Sequence, residues 1–184
     1  MEALIRDLIP HDPTVGLFVA PDIPEKKLKN ALADYGKKLR QTEVVALYDA
    51  TLLGTGGDGA LFTGDRIVFQ NSNLEPAHEV LYTDLIAIRA RRKLMGGQKL
   101  ELDVNRGRAT IQLILDFSGK PDAAGYVSRF LEEAIQRVAT QEMDVRQPGA
   151  GATDVDAVEQ ALNDLVRQGK LAPADLQRMI QTIL

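Results

Sequence analysis

Basic side chains near the middle of the chain are the strongest candidates for a binding function. They are Arg89, Arg91, Arg92, Lys93, Arg106 and Arg108. If this part of the chain is extended, Arg89, Arg91 and Lys93 share one face, because successive side chains of a strand point to opposite faces. Guanidinium and ammonium groups gathered in this way could bind a phosphate, a carboxylate-rich peptide or an anionic surface. The alternative is a charged outer sheet face that pairs with Glu101 and Asp103 on a neighbouring strand.

A glycine-rich stretch at residues 54–59 reads Gly-Thr-Gly-Gly-Asp-Gly and formally matches the pattern G-x-G-x-x-G. In a dinucleotide site this pattern follows a strand and opens a helix, whose N-terminus holds the pyrophosphate. Here the next residues, 60–63, are typical of a second strand. A protein kinase places such a loop between strands, but its other sequence elements are absent here. The stretch is therefore interpreted as a flexible connection between strands, with a ligand-contacting loop as the alternative.

No other set of residues has the spacing of a catalytic or metal site. His11 and His78 lie in loop-like contexts without a second close ligand, and the chain has no cysteine. We therefore expect no catalytic residue, no metal and no cofactor; an enzyme would need a pocket of converging titratable groups. The net charge of −4 argues against a nucleic-acid binder. Without a signal sequence or an apolar run of about 20 residues, a cytoplasmic location is expected.

The elements that would position the basic residues are short strands followed by one long helix. The predicted strands are 44–48, 60–63, 66–70, 79–82, 85–91, 99–104 and 109–115. Several alternate between apolar and polar residues, as a sheet with one wet and one dry face requires. In the strand that carries the basic residues, Ile86, Ile88 and Ala90 should share the face opposite to them. Residues 122–140 then change to helical periodicity.

Four segments follow from these patterns: an N-terminal helical segment at 1–40, a barrel with its capping helix at 41–141, a linker at 142–153 and a two-helix domain at 154–184. Within the first segment, apolar spacing predicts a helix over residues 24–36. The last segment carries a candidate interface of large apolar residues: Leu162, Leu165, Leu176, Met179, Ile180 and Ile183. A two-helix hairpin of this length buries too little surface to be stable alone. It is expected to pack on the main domain, on itself in an oligomer, or on a partner.

Seven strands closed by an amphipathic helix follow the element order of the pleckstrin-homology superfold. Residues 23–31, followed by Asp49-Ala50-Thr51 and residues 54–59, resemble a bacterial pleckstrin-homology-like (PH-like) domain in which a short helix precedes the barrel. The tail, around Gly169-Lys170-Leu171, resembles the short helical-hairpin (SHOCT-like) domain appended to many bacterial proteins. The resemblance implies an α+β fold: a seven-stranded, partly open β-barrel or sandwich capped by a C-terminal helix, with an N-terminal helix and a C-terminal helical hairpin.

The resemblance also implies a binding or scaffolding role without a catalytic site, and the tail family suggests self-association. Phosphoinositide-binding members use a basic loop between their first two strands, whereas residues 53–59 carry no lysine or arginine. We therefore expect a non-catalytic module for protein–protein interaction, with the hairpin serving oligomerisation or docking. The alternative function is peripheral binding to an anionic membrane or phospholipid through the basic strand face. No nucleic-acid partner is expected.

Overall fold

The computed structural model describes residues 1–94 and 96–146, most of which form one compact unit, Met1–Thr140. Its regular elements are α1 (Glu2–Leu8), β1 (Leu17–Val19), α2 (Glu25–Asp34), β2 (Val44–Asp49), β3 (Gly59–Thr63), β4 (Arg66–Gln70), β5 (His78–Leu81), β6 (Leu85–Arg92), β7 (Gln98–Asn105), β8 (Thr110–Asp116) and α3 (Ala123–Arg146). The predicted two-helix domain, 154–184, lies outside the described residues.

The strands form two antiparallel sheets, one with the order β1-β2-β3-β4-β5 and the other with the order β6-β7-β8. The mixed α+β class predicted from the sequence is confirmed. All seven predicted strands are present, and their bounds agree with the prediction to within one residue. The helix predicted from residue 122 begins at Ala123 but continues to Arg146, so it includes the first residues of the predicted linker.

The N-terminal segment at 1–40, which the sequence predicts to be helical, is helical only in part. This segment contains α1 and α2, but also β1, which pairs with β2 through partners such as Leu17 and Tyr48. A strand of three residues is too short to show the alternation by which strands are recognised. The predicted helix over residues 24–36 is confirmed as α2, whose Leu28 and Ala31 are buried as the apolar spacing indicated.

The main core lies between the two sheets and α3. The inward-facing side chains of β7, Leu100, Leu102 and Val104, are completely buried in it. Phe130 of α3 packs edge-to-face against Phe62, at 5.8 Å between ring centroids. Because α3 supplies the large aromatic residue that fills the space between the sheets, the helix is part of the core and does more than cover it.

A second apolar cluster lies under α2 and contains Phe18, Leu28, Tyr35, Leu47 and Leu61. α2 therefore covers the face of the five-stranded sheet opposite to the main core. All six residues of β2 are buried as a result, which is expected only for a strand covered on both faces.

A β-bulge in β6 changes the predicted arrangement of its side chains. The register with β7 shifts between Leu85 and Ala87, which leaves Ile86 as the additional residue. Ile86 is 49% exposed and does not continue the face of Ile88 and Ala90 as the strict alternation predicted. After the bulge the alternation resumes, and Arg89 stands opposite Glu101 on the outer face.

Candidate functional site

The basic residues of β6 pair with acidic residues of β7 on the outer face of the three-stranded sheet. Arg89 Nη2 donates to the two carboxylate oxygens of Asp103 at 2.8 and 2.7 Å. Arg91 Nε lies 3.5 Å from Glu101 Oε2. Hydrogen bonding from Lys99, supported by Arg91, holds the pKa of Glu101 below its usual range. These contacts are the cross-strand pairing that the alternative interpretation of the basic residues expects.

The structure separates the remaining basic residues into two groups. Lys93, in the β6–β7 turn, contacts Asp116 Oδ2 at 2.5 Å. Arg106, in the β7–β8 turn, lies 3.6 Å from Asp84 Oδ2. The two turns are at opposite ends of β7, whose eight residues span about 25 Å. The six basic residues therefore do not form one anion site.

Arg92 and Arg108 are exposed and make no ion pair with any residue that the structure describes. Arg92 is at the Lys93 end of the sheet, and Arg108 is at the opposite end. They are the two candidate residues whose charge is open to a partner. Because they lie at opposite ends of the sheet, a substitution of one can serve as the control for a substitution of the other.

The glycine-rich stretch connects β2 to β3, as the sequence interpretation expected, but it is anchored at several points. Lys27 Nζ of α2 donates to Asp49 Oδ2 at 2.6 Å and also to the carbonyl oxygen of Gly54. Asn30, one turn further along α2, donates to the carbonyl of Thr55 at 2.8 Å. Three residues of this connection, Asp49, Gly54 and Thr55, are thus held in position by side chains of α2.

Asp49 is the central acceptor of this network. Its side chain is completely buried and accepts hydrogen bonds from the Thr51 N–H at 3.0 Å and the Gly56 N–H at 3.3 Å. Burial alone would raise the pKa of Asp49, but the hydrogen bonds from Lys27 and Thr51 outweigh it and lower the pKa. The loop itself has no lysine or arginine, but Lys27 of α2 places an ammonium group beside it. The buried carboxylate of Asp49 neutralises that charge.

Two glycines of this stretch are required by close backbone contacts. At Gly56, with φ of 77°, a Cβ would lie 2.6 Å from the carbonyl oxygen of Lys27. At Gly59, with φ of 139°, it would lie 1.9 Å from the carbonyl oxygen of Tyr48. The glycines allow α2 and β2 to approach the loop, so their spacing has a structural cause that is unrelated to nucleotide binding.

A polar cluster that the sequence did not reveal lies beside this loop. We assign the side-chain amide of Asn73 with its nitrogen toward the carboxylates, because in this orientation it donates to Asp34 Oδ2 and Asp58 Oδ1, each at 3.0 Å. Burial, followed by the nearby charges of Asp34 and Asp49, raises the pKa of Asp58. The amide thus joins the C-terminal end of α2 to the β2–β3 and β4–β5 loops.

The hydroxyl of Tyr35 is buried near these carboxylates and has no hydrogen-bond partner among the described residues. Burial above all, and then Asp49 and Asp58, raise the pKa of Tyr35 far above its usual value, so the hydroxyl stays protonated. Tyr35, Asn73 and His78 are among the residues that line a cavity of about 400 Å³. The cavity has the size of a small-molecule site.

Four leucines are almost fully exposed at the tips of three loops, and we call this set the leucine end. They are Leu52 (92%) and Leu53 (90%) in the β2–β3 loop, Leu74 (97%) in the β4–β5 loop and Leu94 (107%) in the β6–β7 turn. The loops lie at one end of the unit, because Asn73 bridges the first two and because both Asn71 and Lys93 contact Asp116. Sequence reasoning missed this surface, although leucine in glycine- and asparagine-containing loops was a visible signal.

The predicted apolar interface of the tail, Leu162, Leu165, Leu176, Met179, Ile180 and Ile183, lies outside the described residues. The two histidines are in structural positions. His11 Nδ1 accepts a hydrogen bond from the Val19 N–H at 3.2 Å, and His78 packs against the ring of Phe69 at 5.2 Å.

Within residues 1–94 and 96–146, no three histidine, cysteine, aspartate or glutamate side chains are grouped so that they could hold a metal ion. No helix of that part of the chain is long and apolar enough to cross a membrane. Comparison with protein-family models, with curated proteins and with solved structures finds no match to this chain.

Proposed function

We propose that the chain is a non-catalytic binding module of the PH-like type. The support is the order of elements: β2–β5 form four consecutive antiparallel strands, β6–β8 form a second antiparallel sheet, and α3 follows and packs into the core. In this proposal β1 is an additional edge strand, and α1 and α2 are additions before the barrel. The cysteine-free sequence is compatible with a cytoplasmic location, which we also propose.

The leucine end is the proposed surface for a partner protein, and it is the observation on which the function rests. Exposed apolar side chains are common singly, but a set gathered at one end of a domain usually marks an interaction site. Burying one leucine side chain contributes about 1.5–3 kcal/mol. Four of them supply on the order of 6–12 kcal/mol toward the cost of association, which falls in a similar range.

Site-specific photocrosslinking in extracts of the native cell tests this surface. A photoreactive residue in place of Leu53 or Leu74 should give the same discrete crosslinked product. The matched control replaces Gln136, which is exposed on the helix α3. Products that are equally abundant from the control position, or absent from both leucine positions, would show that the leucine end is not a binding surface.

The tail is proposed to mediate self-association or docking, as its resemblance to the SHOCT-like family implies. Light scattering of the full chain should give an oligomer, and aspartate in place of both Leu165 and Ile180 should lower the mass. Aspartate in place of two polar tail positions, Gln168 and Gln177, is the matched control. If the apolar and control variants have the same mass as the unmodified chain, the tail is not an oligomerisation element.

Peripheral binding to an anionic membrane is a second candidate, favoured by one observation. Arg91, Arg92 and Lys93 lead directly to the exposed Leu94, and basic groups beside an exposed apolar residue are typical of interfacial binding. Vesicles with and without phosphatidylserine provide the test. Replacing Arg92 by Gln and Leu94 by Ser should reduce sedimentation with anionic vesicles at least fivefold.

The matched control for the vesicle assay is Arg108→Gln, which removes an exposed arginine at the opposite end of β7. It should sediment like the unmodified chain. Sedimentation that is independent of anionic lipid, or equal loss in both variants, would eliminate membrane binding through the Lys93 end of the sheet.

A further inference from the structure

The cavity of about 400 Å³ has both apolar and charged residues in its lining. The buried Val68 of β4 and the half-buried Leu39, in the turn after α2, give it apolar surface. Lys37 and Lys38 also line it, but both are exposed, and Lys38 Nζ lies 3.5 Å from Glu79 Oε2. A cavity of this kind fits a small organic molecule with an apolar body, whose orientation a few polar groups fix.

Two carboxylates beside the cavity have no cationic partner. Asp34 lines the cavity, and Asp58 shares the amide nitrogen of Asn73 with it, at 3.0 Å from each carboxylate. Among the residues that the structure describes, neither carboxylate has a lysine or arginine at ion-pair distance, and Lys27 of the neighbouring network is bound to Asp49. Burial and the charges of Asp34 and Asp49 raise the pKa of Asp58, as expected for a carboxylate without a counterion.

The amide of Asn73 has too few hydrogens for the polar groups around it. Its two N–H bonds are both used, one for Asp34 and one for Asp58. The hydroxyl of Tyr35, buried near the same carboxylates, is left without a partner among the described residues, and Tyr35 is only 5% exposed. A buried hydroxyl without a partner destabilises a fold, so its presence beside a cavity points to a group that is bound there.

We propose that the cavity binds a small molecule with a primary ammonium group on an apolar body, and that the ammonium takes the place of the Asn73 amide. An ammonium has three N–H bonds, so it donates to Asp34, Asp58 and the Tyr35 hydroxyl together. Its charge also provides the counterion that the neutral amide does not. Asn73 is exposed and lies in a loop, so its side chain can turn outward. The site goes beyond the proposed function, and its tests use neither the leucine end nor the tail.

An organic ammonium fits these groups better than a metal ion does. In the described part of the chain, no three histidine, cysteine, aspartate or glutamate side chains are grouped so that they could hold a metal. The Tyr35 hydroxyl stays protonated because its pKa is raised far above its usual value, so it suits an N–H donor better than a metal. The apolar surface of the cavity would have no role around a bare ion.

NMR titration of the full chain with phenethylamine and with butylamine tests the ligand class. Both amines should shift the backbone amide signals of Gly57, Asp58 and Asn73. Phenethyl alcohol has the same apolar body without the charge, and it should bind at least tenfold more weakly than phenethylamine. The proposal is overturned if neither amine shifts these signals, if the alcohol binds as well as the amine, or if calcium chloride shifts them and the amines do not.

Tyr35→Phe tests the hydroxyl, and Tyr48→Phe is its matched control. Tyr48 has the other buried hydroxyl without a partner in the described chain, but it belongs to the main core and does not line this cavity. Neither variant should unfold at a lower urea concentration, because neither loses a hydrogen bond within the chain. Tyr35→Phe should weaken phenethylamine binding at least fivefold, and Tyr48→Phe should leave it unchanged. Equal binding by the two variants contradicts the site.

Two further variants should change the affinity in opposite directions. Asp58→Asn removes one of the two charges and should weaken phenethylamine binding at least tenfold, whereas Asp22→Asn, an equal change at an exposed position, should have no effect. Asn73→Ala removes the side chain that the ammonium must displace, so it should strengthen binding at least twofold. Unchanged binding in Asp58→Asn, or weaker binding in Asn73→Ala, would overturn the proposal.

Discussion

Replacing Lys27 by Met should destabilise the fold far more than a change at a surface lysine normally does. The methionine keeps most of the aliphatic part of the lysine side chain, so the loss is mainly that of the ammonium group. That group is the ionic partner of Asp49, whose side chain is completely buried. Removing one partner of a buried ion pair leaves a desolvated charge without its counterion.

The size of the loss in stability depends on the hydrogen bonds that Asp49 keeps in the Lys27→Met variant. Breaking a buried ion pair costs about 3–5 kcal/mol. Asp49 keeps its hydrogen bonds from Thr51 and Gly56, so the expected cost is near the lower limit, about 3 kcal/mol. For a chain of this size, 1 kcal/mol corresponds to about 2–4 °C in Tm, so the expected decrease is about 6–12 °C.

Urea unfolding followed by circular dichroism measures the free energy of unfolding. Two further variants show whether a change in it comes from the unpaired charge of Asp49. Lys29→Met is the matched control, because Lys29 makes only an exposed i,i+4 pair with Glu25. It should cost no more than about 0.5 kcal/mol. The double variant Lys27→Met/Asp49→Asn should be more stable than Lys27→Met alone, because no charge then remains buried without a partner.

The loss of stability caused by Lys27→Met should also depend on pH in a defined direction. In the native chain the pKa of Asp49 is lowered, so its contribution is present above the unfolded pKa, about 3.9, and is lost as the pH falls through the folded pKa. Without Lys27, we expect burial to raise the pKa of Asp49 above its unfolded value, so that the variant takes up a proton there before the native chain does. The difference in stability between the two chains should therefore begin to shrink above about pH 4 and continue to shrink until the pH has fallen through the lowered pKa of the native chain.

Two results would refute this reasoning. A cost below about 1 kcal/mol for Lys27→Met would mean that water solvates Asp49 as it solvates a surface carboxylate. A double variant no more stable than Lys27→Met would mean that the loss comes from packing around α2 and not from an unpaired charge.

Two further predictions concern backbone contacts and surface charge. Gly59→Ala should lower the free energy of unfolding by about 3 kcal/mol or prevent folding, because the new Cβ would meet the carbonyl oxygen of Tyr48. Gly125→Ala in α3 places its Cβ in open space, so it should raise the free energy of unfolding by about 0.5–1 kcal/mol in the same urea assay. Equal effects of the two alanines would contradict the role assigned to Gly59. Arg89→Gln should lower the free energy of unfolding by less than about 1 kcal/mol, because the ion pair of Arg89 with Asp103 is partly exposed. This loss should diminish in 1 M salt, which screens exposed charges. A loss that does not depend on salt would mean that Arg89 stabilises the fold by packing.

The strands and the long helix could be predicted because each carries a local pattern. In β7, for example, Leu100, Leu102 and Val104 face the core and alternate with charged residues, so the pattern is complete within one segment. β1 has three residues and no room for such a pattern. Its position depends on pairing with β2, which follows 25 residues later in the chain.

The network around the β2–β3 loop could not be predicted for a related reason. Lys27 and Asp49 are 22 residues apart, and their contact depends on how α2 packs on the sheet. Asp34, Asp58 and Asn73 lie on three different elements and meet only in the folded chain. The basic residues show the converse case: they are close in sequence, but the length of β7 separates Lys93 from Arg106.

The composition of the main core has a consequence for the synthesis of the chain. Leu4, Ile5 and Ile9, near the start, belong to the same core cluster as Phe130 and Leu131 of α3. While a ribosome is still making the strands of the two sheets, these first apolar residues have emerged but their last partners have not been translated. Folding of the unit should therefore finish only after α3 leaves the exit tunnel, and until then the N-terminal segment is a natural substrate for chaperones.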